Sequence, residues 1–378
     1  MLIYVNKEFY YSDEFSYNKI RKLLSKTFRQ QFDSTKVLIV SEQTYFENSQ
    51  DNFKIAVLYN PFIDNTLTDS SLATIKHFSN ISNLVFIIEN ELFHSWQESH
   101  QFKSNVHLII PGIINPIPLA KNSIVRPHWL QYTTDLYKRL PDKLAELQPC
   151  QLKPKMFDAL LGYPRDYRTF VYNKIIENNL ENQTIISYNP TTKFAEDKFY
   201  AHDYFIWEPG TEQLTDHKIS YTSNQVSYLG IQCMLSAVIP VQVYNQTAYS
   251  IITESYVKSQ NSFFTEKIAK PLLARRLFVA FSNYHYLQDL KSLGFKTFSD
   301  IIDESYDNVY NSELRWEKAF DQVIWLCQQD QQEILLAIQP IVEYNYQVMM
   351  ETEWDQQTVD YITKTVQEYY EKNISSVW

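Results

Sequence analysis

The chain has 378 residues, 44% of them apolar, and a formal net charge of −10. That length exceeds one ordinary core and suits two domains, while the apolar share excludes wholesale disorder. With five glycines and neither G-x-G-x-x-G nor G-x-x-x-x-G-K, the dinucleotide fingerprint and the P-loop are both excluded.

The predicted elements alternate. Leu2–Val5 reads as a strand and Phe15–Phe32 as a helix, with apolar residues at helical spacing. Strands follow at Val37–Val40, Ile55–Tyr59, Leu84–Ile88 and Val106–Ile110, with a helix around Leu72–Phe78. Continuous Val/Ile/Leu runs separated by helices indicate a parallel sheet covered on both faces. Seven prolines from Pro111 to Pro154 mark a linker that holds one helix, Trp129–Leu140. The grammar then restarts. Strands are expected at Phe157–Leu161, Thr184–Tyr188, Tyr249–Thr253 and Leu277–Phe281, and helices at Asp166–Glu177 and Thr265–Arg275. From Glu313 onward helical patterns dominate, including Leu314–Cys327 and Glu333–Met350. The expectation is an α/β chain of two Rossmann-like lobes with a helical C-terminal tail, divided as 1–150, 151–312 and 313–378.

The acidity is local. From Asp303 to Trp378 fifteen acids face four Lys/Arg, whereas residues 121–174 carry ten Lys/Arg against five acids. Three scattered cysteines, Cys150, Cys233 and Cys327, suit neither a disulfide framework nor a zinc site. The N-terminus lacks a basic flank and a long apolar run, and no window reaches the ~20 apolar residues of a membrane span. A cytoplasmic protein is expected.

With no glycine-rich loop, phosphate must be held by side chains and helix starts, where free N–H groups and a partial positive charge favour anions. Two segments fit. After Phe157–Leu161, Arg165 and Arg168 stand three apart at a helix start. Their planar forks suit a diphosphate, the alternative being ion pairs with Asp158 or Asp166. In Ser262–Pro271, Thr265 or Ser262 caps a helix whose first turn holds Glu266, Lys267 and Lys270. Pro271 should break that helix start. His202-Asp203 and Asp216-His217 fit no standard metal spacing and read as surface loops. No metal site is expected. His285, beyond the Leu277–Phe281 strand, stands at a strand end that could bring it to the site, but reads first as a partly buried histidine in an aromatic-rich loop.

Together these segments resemble α-1,3-fucosyltransferases and related phage- and bacterial-type glycosyltransferases. In that family E-N-S precedes T-E-K at a helix start; here Thr253-Glu254-Ser255 precedes Thr265-Glu266-Lys267, with Arg165 or Arg168 matching an upstream arginine. The block Leu293–Phe298 followed by Asp303–Asp307 resembles the wider set. The resemblance covers roughly residues 154–317. It implies a GT-B glycosyltransferase in which the arginine and Lys267 hold the diphosphate of a UDP- or GDP-type nucleotide sugar. Glu254 and Glu266 would hold donor hydroxyls. Where the family has Gly-Val-Pro-Val, this chain has Leu277-Phe278-Val279-Ala280, so the sugar stays open.

An inverting transfer needs a general base, and the first lobe offers the strand-end carboxylates Glu42 and Glu89. The acceptor is a surface glycan or a hydroxymethylated base in phage DNA. A nucleotide-sugar or glycan binder without turnover is the non-enzyme alternative.

Overall fold

A computed structural model of the chain describes residues 2–6, 20, 22–24, 26–27, 37–41, 55–59, 76–80, 82–88, 103–114, 122–188, 208–213, 225–255, 257–258 and 261–374. It is a mixed α/β protein with parallel sheets and a helical C-terminal region. It divides into two compact units, Met1–Gln131 with Glu353–Trp378, and Tyr132–Thr352.

These limits differ from the expected 150 and 312, for two physical reasons. The hydroxyls of Tyr132 and Tyr137, on the helix His128–Lys138, accept Met234 N at 2.9 Å and Ile239 N at 2.5 Å, which ties the expected linker to the second unit. The last helix, Trp354–Ile374, instead buries Val359, Ile362 and Val366 in the core of the first unit. No described helix is long and apolar enough to cross a membrane.

The first unit is built on strands β1 (Leu2–Asn6), β2 (Val37–Ser41), β3 (Ile55–Tyr59), β4 (Leu84–Ile88), β5 (Val106–Ile110) and β7 (Ser123–Val125), with a short β6 at Gly112–Ile114. The sheet order is β2-β1-β3-β4-β5-β7, and every pairing is parallel. All five residues of β4 and of β5 are buried, as strands covered on both faces require. Strand period two sends Ile55, Val57, Phe86 and Ile88 to one face, against Ile20, Leu24 and the last helix. Polar contacts also fix that helix. Arg126 and Asp355, both fully buried, pair at 2.8 Å, and His107 Nδ1 lies 2.9 Å from the Tyr361 hydroxyl. Burial holds the His107 imidazole down at about 4, so it is neutral near pH 7.

The second unit holds β8 (Lys155–Gly162), β9 (Thr184–Tyr188), β13 (Thr247–Thr253) and β15 (Phe278–Phe281), in the all-parallel order β15-β13-β8-β9. A separate antiparallel sheet joins β10 (Thr211–Gln213), β11 (Gln225–Tyr228) and β12 (Ile231–Met234). A further short strand, β14, spans Asn261–Phe263. The central strand β13 is buried along all seven residues. Arg276 locks two strands together from inside. Its guanidinium donates to Asp158 of β8 at 2.8 Å, to Ser250 Oγ of β13 at 2.9 Å, and to the carbonyls of Tyr244, Thr247 and Tyr249. The helices Ser312–Cys327 and Gln331–Glu351 complete the unit, capped by Asn311 and Asp330, whose side chains accept Leu314 N and Glu333 N.

Winding in this sheet starts at β8, moves to β9 on one side, and then returns to β13 and β15 on the other. The reversal lies between β8 and β13. A crevice forms outside the carboxyl ends of strands at such a point. The strand ends there are Gly162 and Thr253, and the residues that follow them build the site.

Candidate functional site

The first wall comes from the end of β8. Gly162 adopts φ +66°, a left-handed conformation that other residues reach only with strain. The turn leads to the helix Asp166–Glu177, with Arg165 at its N-cap position and Arg168 in its first turn. Arg165 is exposed, and its Nη1 reaches the carbonyl of Ser255 at 3.1 Å. Arg168 is only 8% exposed. Its Nη1 makes one long bond of 3.3 Å to Tyr163 O, and its Nε is buried without a partner.

The carboxylates that could have neutralised these arginines are engaged elsewhere. Asp158 pairs with Arg276, and Asp166 with Lys258. Among the described residues neither Arg165 nor Arg168 forms an ion pair. Burial pushes the Arg168 guanidinium below its ordinary range and the Arg165 charge adds to that shift, while Tyr167, whose ring centroid lies 5.6 Å from the guanidinium, and Glu266 oppose it. A buried cation left without an anion is costly and normally has a reason.

The second wall follows β13. Glu254 is completely buried. Its Oε2 accepts the Thr265 hydroxyl at 2.6 Å and Ser255 N at 3.3 Å; its Oε1 accepts Thr265 N at 3.2 Å and the Tyr286 hydroxyl at 2.9 Å. With both oxygens engaged, Glu254 orients Thr265 and Tyr286 and presents no free oxygen of its own to a donor hydroxyl. Burial holds its carboxyl above the usual range, against the pull of Lys267.

Thr265 is the N-cap of the helix Glu266–Leu273, its hydroxyl accepting Lys267 N at 3.2 Å. The helix runs through Pro271 and is not broken there, because a proline in a short helix removes only one internal bond. Lys267, half-buried, directs Nζ to Glu266 Oε1 at 2.9 Å, to Thr265 Oγ1 at 3.3 Å and to Ser255 Oγ at 3.4 Å. Burial opposes ionisation of Glu266, but Lys267 and Lys270 outweigh it and hold the carboxyl below its usual range. Burial holds the Lys270 ammonium down at about 8.

Ser255 joins the two walls, because Arg165 bonds its carbonyl and Lys267 its hydroxyl. The two helix starts therefore converge at the strand reversal, bringing together Arg165, Arg168, Glu254, Thr265, Glu266 and Lys267, with Lys270 one turn along. Sequence reasoning passed over Ser255 as a bridge and Tyr286 as a partner of Glu254. The family segment Thr253-Glu254-Ser255 was the available signal for the first; nothing local pointed to the second.

Glu42 and Glu89 directly follow β2 and β4 but lie outside the described residues, as do His202, Asp203, Asp216 and His217. Among the described residues no group of three His, Cys, Asp or Glu is placed to hold a metal ion. No family model matches the chain, and no curated protein matches it in sequence.

Proposed function

We propose that the protein is a GT-B type glycosyltransferase that binds a nucleotide sugar at the carboxyl ends of β8 and β13. The observation that carries this reading is Arg168, buried and without a counter-anion beside a second unpaired arginine. A diphosphate supplies the missing charge, and guanidinium forks suit it geometrically. Two helix starts add oriented N–H groups. Both units have parallel sheets whose winding reverses within the sheet, and the chain returns to the first unit with its last helix. These features support the two-lobed architecture.

In transfer, the bond between the sugar's anomeric carbon and the donor phosphate oxygen breaks, and negative charge grows on the leaving diphosphate. Arg165, Arg168 and Lys267 stabilise that charge in a site partly shielded from water. Thr265, held by Glu254, caps the helix start and steadies Lys267, and Glu266 is the remaining carboxylate for donor hydroxyls. The acceptor hydroxyl forms the new bond to the anomeric carbon and gives its proton to a base, for which Glu42 and Glu89 are the candidates read from the sequence. A cytoplasmic location suits this donor chemistry.

Both acceptor classes, a glycan and a hydroxymethylated base in DNA, stay open. In the basic stretch 121–174, Arg126 and Arg168 are buried, Lys143 pairs with Glu146, and Lys174 pairs with Glu317. These four are not free for a phosphate backbone, whereas Arg165 of the same stretch is exposed. The test is nucleoside diphosphate release when UDP- and GDP-sugars are incubated with glycan acceptors and with hydroxymethylcytosine-containing DNA. Release with either acceptor supports the proposal. Binding of the donor without release under any condition indicates a binder without turnover.

A further inference from the structure

Beyond β15 the chain gathers three aromatic rings. Tyr284 and His285 are stacked, with centroids 3.7 Å apart and planes inclined by 25°. Tyr310 meets Tyr284 edge-on at 5.7 Å and is 69% exposed. The stacked pair is half-buried, so these rings form no part of the closed core.

The backbone beneath them is constrained. His285 takes φ 62° and ψ 21°, a left-handed conformation unfavourable to a residue with a Cβ. Asp307 holds it there. Its carbonyl accepts His285 N at 2.9 Å, and its carboxylate accepts Leu287 N and Gln288 N at 3.0 Å each. Arg315, 2% exposed, donates to Ser282 O at 3.0 Å, Val309 O at 2.6 Å and Tyr310 O at 3.1 Å, clamping both segments that carry the rings. Asn283 Nδ2 adds a bond to Tyr284 O at 2.9 Å. Strain maintained by so many bonds, under rings that reach solvent, is the pattern of a ligand platform.

Its position suits one ligand. Glu254 N donates to Phe281 O at 3.1 Å, and the Tyr286 hydroxyl donates to Glu254 Oε1, so the aromatic segment starts beside the Glu254–Thr265 clamp. Neighbouring strands lie ~4.8 Å apart, which puts the end of β15 about 10 Å along the sheet edge from the end of β8, where Arg168 stands. That separation matches a ribose and diphosphate laid along the edge. We infer that the Tyr284–His285 stack, flanked by Tyr310, seats the nucleobase of the donor. This inference rests on the diphosphate reading of Arg168 and Lys267. Stacking requires only a π face, so the platform accepts purines and pyrimidines alike.

The experiment is calorimetric titration of UDP, GDP and inorganic pyrophosphate into the intact chain. Tyr284→Leu should weaken UDP and GDP roughly tenfold or more and leave pyrophosphate unchanged. Tyr284→Phe should retain wild-type affinities. Tyr310→Ala, at an exposed position where folding is not at stake, should reproduce the base-selective loss at smaller size. Lys267→Ala should weaken all three. If Tyr284→Leu and Tyr310→Ala leave UDP and GDP unaffected, or weaken pyrophosphate equally, the base seat is overturned. A wild-type chain that binds pyrophosphate as tightly as both nucleotides also overturns it while the diphosphate seat stands. A wild-type chain that binds none of the three refutes the diphosphate reading itself.

Discussion

Replacing Arg168 by Met should move stability and binding in opposite directions. In the free protein the guanidinium makes one long bond, 3.3 Å to Tyr163 O, and its Nε finds no partner. A bond that long contributes little, well under the ~1 kcal/mol of an ordinary hydrogen bond. Against it stands the cost of a buried charge without an ion pair, several kcal/mol even after relaxation, which the Tyr167 ring and the Glu266 charge offset in part. Methionine fills the volume without the charge. The ligand-free variant should therefore be as stable as the wild type, or more stable by about 1–2 kcal/mol. For a unit of this size that is an unchanged melting temperature or a rise of roughly 2–8 °C. Binding runs the other way. A charge-assisted contact to phosphate contributes about 1.5–3 kcal/mol, so UDP or GDP affinity should fall about ten- to hundredfold. Paired melting curves and calorimetric titrations of both proteins measure the two effects. A fall in melting temperature of more than 5 °C, predicted by nothing in this reasoning, with unchanged nucleotide affinity would make Arg168 a structural residue and refute the argument.

Three further outcomes are expected. Lys267→Ala should cost about 1.5–3 kcal/mol of nucleotide-sugar binding, and, because it takes the ammonium partner from the buried Glu266, it should also lower the melting temperature while leaving the Glu254–Thr265 clamp intact; unchanged affinity by calorimetry would remove it from the site. The Lys270 ammonium, held at about 8, is charged below that pH at a cost to the folded state, and the cost disappears as pH rises from about 8 through the ordinary lysine value. A bound diphosphate raises the Lys270 value again, so binding takes up a proton, and affinity should decline above pH 8 in the wild type and stay flat in Lys270→Met; equal slopes in the two would count against it. Arg276→Met strands the buried Asp158 carboxylate and should destabilise by about 3–5 kcal/mol, a melting-temperature loss on the order of 10 °C, with much of it recovered in Arg276→Met/Asp158→Leu; a loss no larger than that of a surface substitution would show the network to be dispensable.

The fold was legible where one local signal decided it. Leu84–Ile88, Val106–Ile110 and Thr184–Tyr188 have the expected limits because short apolar runs between breakers suit strands buried in a parallel sheet. The helix Asp166–Glu177 likewise begins and ends where read. The β10-β11-β12 sheet was missed, since strands of three or four residues such as Thr-Glu-Gln at 211–213 are too short and polar to show a period. The spacing of Val359, Ile362 and Val366 shows a helix face, but the sheet that receives it is a tertiary fact. The site divides the same way. Both helix starts and their cations were readable. Pairings across 118 residues, such as Asp158 with Arg276, were not, and they are what leaves Arg168 uncompensated. Glu254 was visible as a motif residue, whereas its burial under Thr265 and Tyr286 came only with the packing.

The central claim is that a nucleotide diphosphate binds between the two helix starts that follow β8 and β13. Its most direct test is calorimetric titration of UDP, GDP and their sugars into the wild-type chain and into the double variant Arg168→Met/Lys267→Ala. Saturable one-to-one binding to the wild type, lost in a double variant that still melts cooperatively, is the predicted result. Absence of binding to the wild type, or equal affinity in the folded double variant, would contradict it.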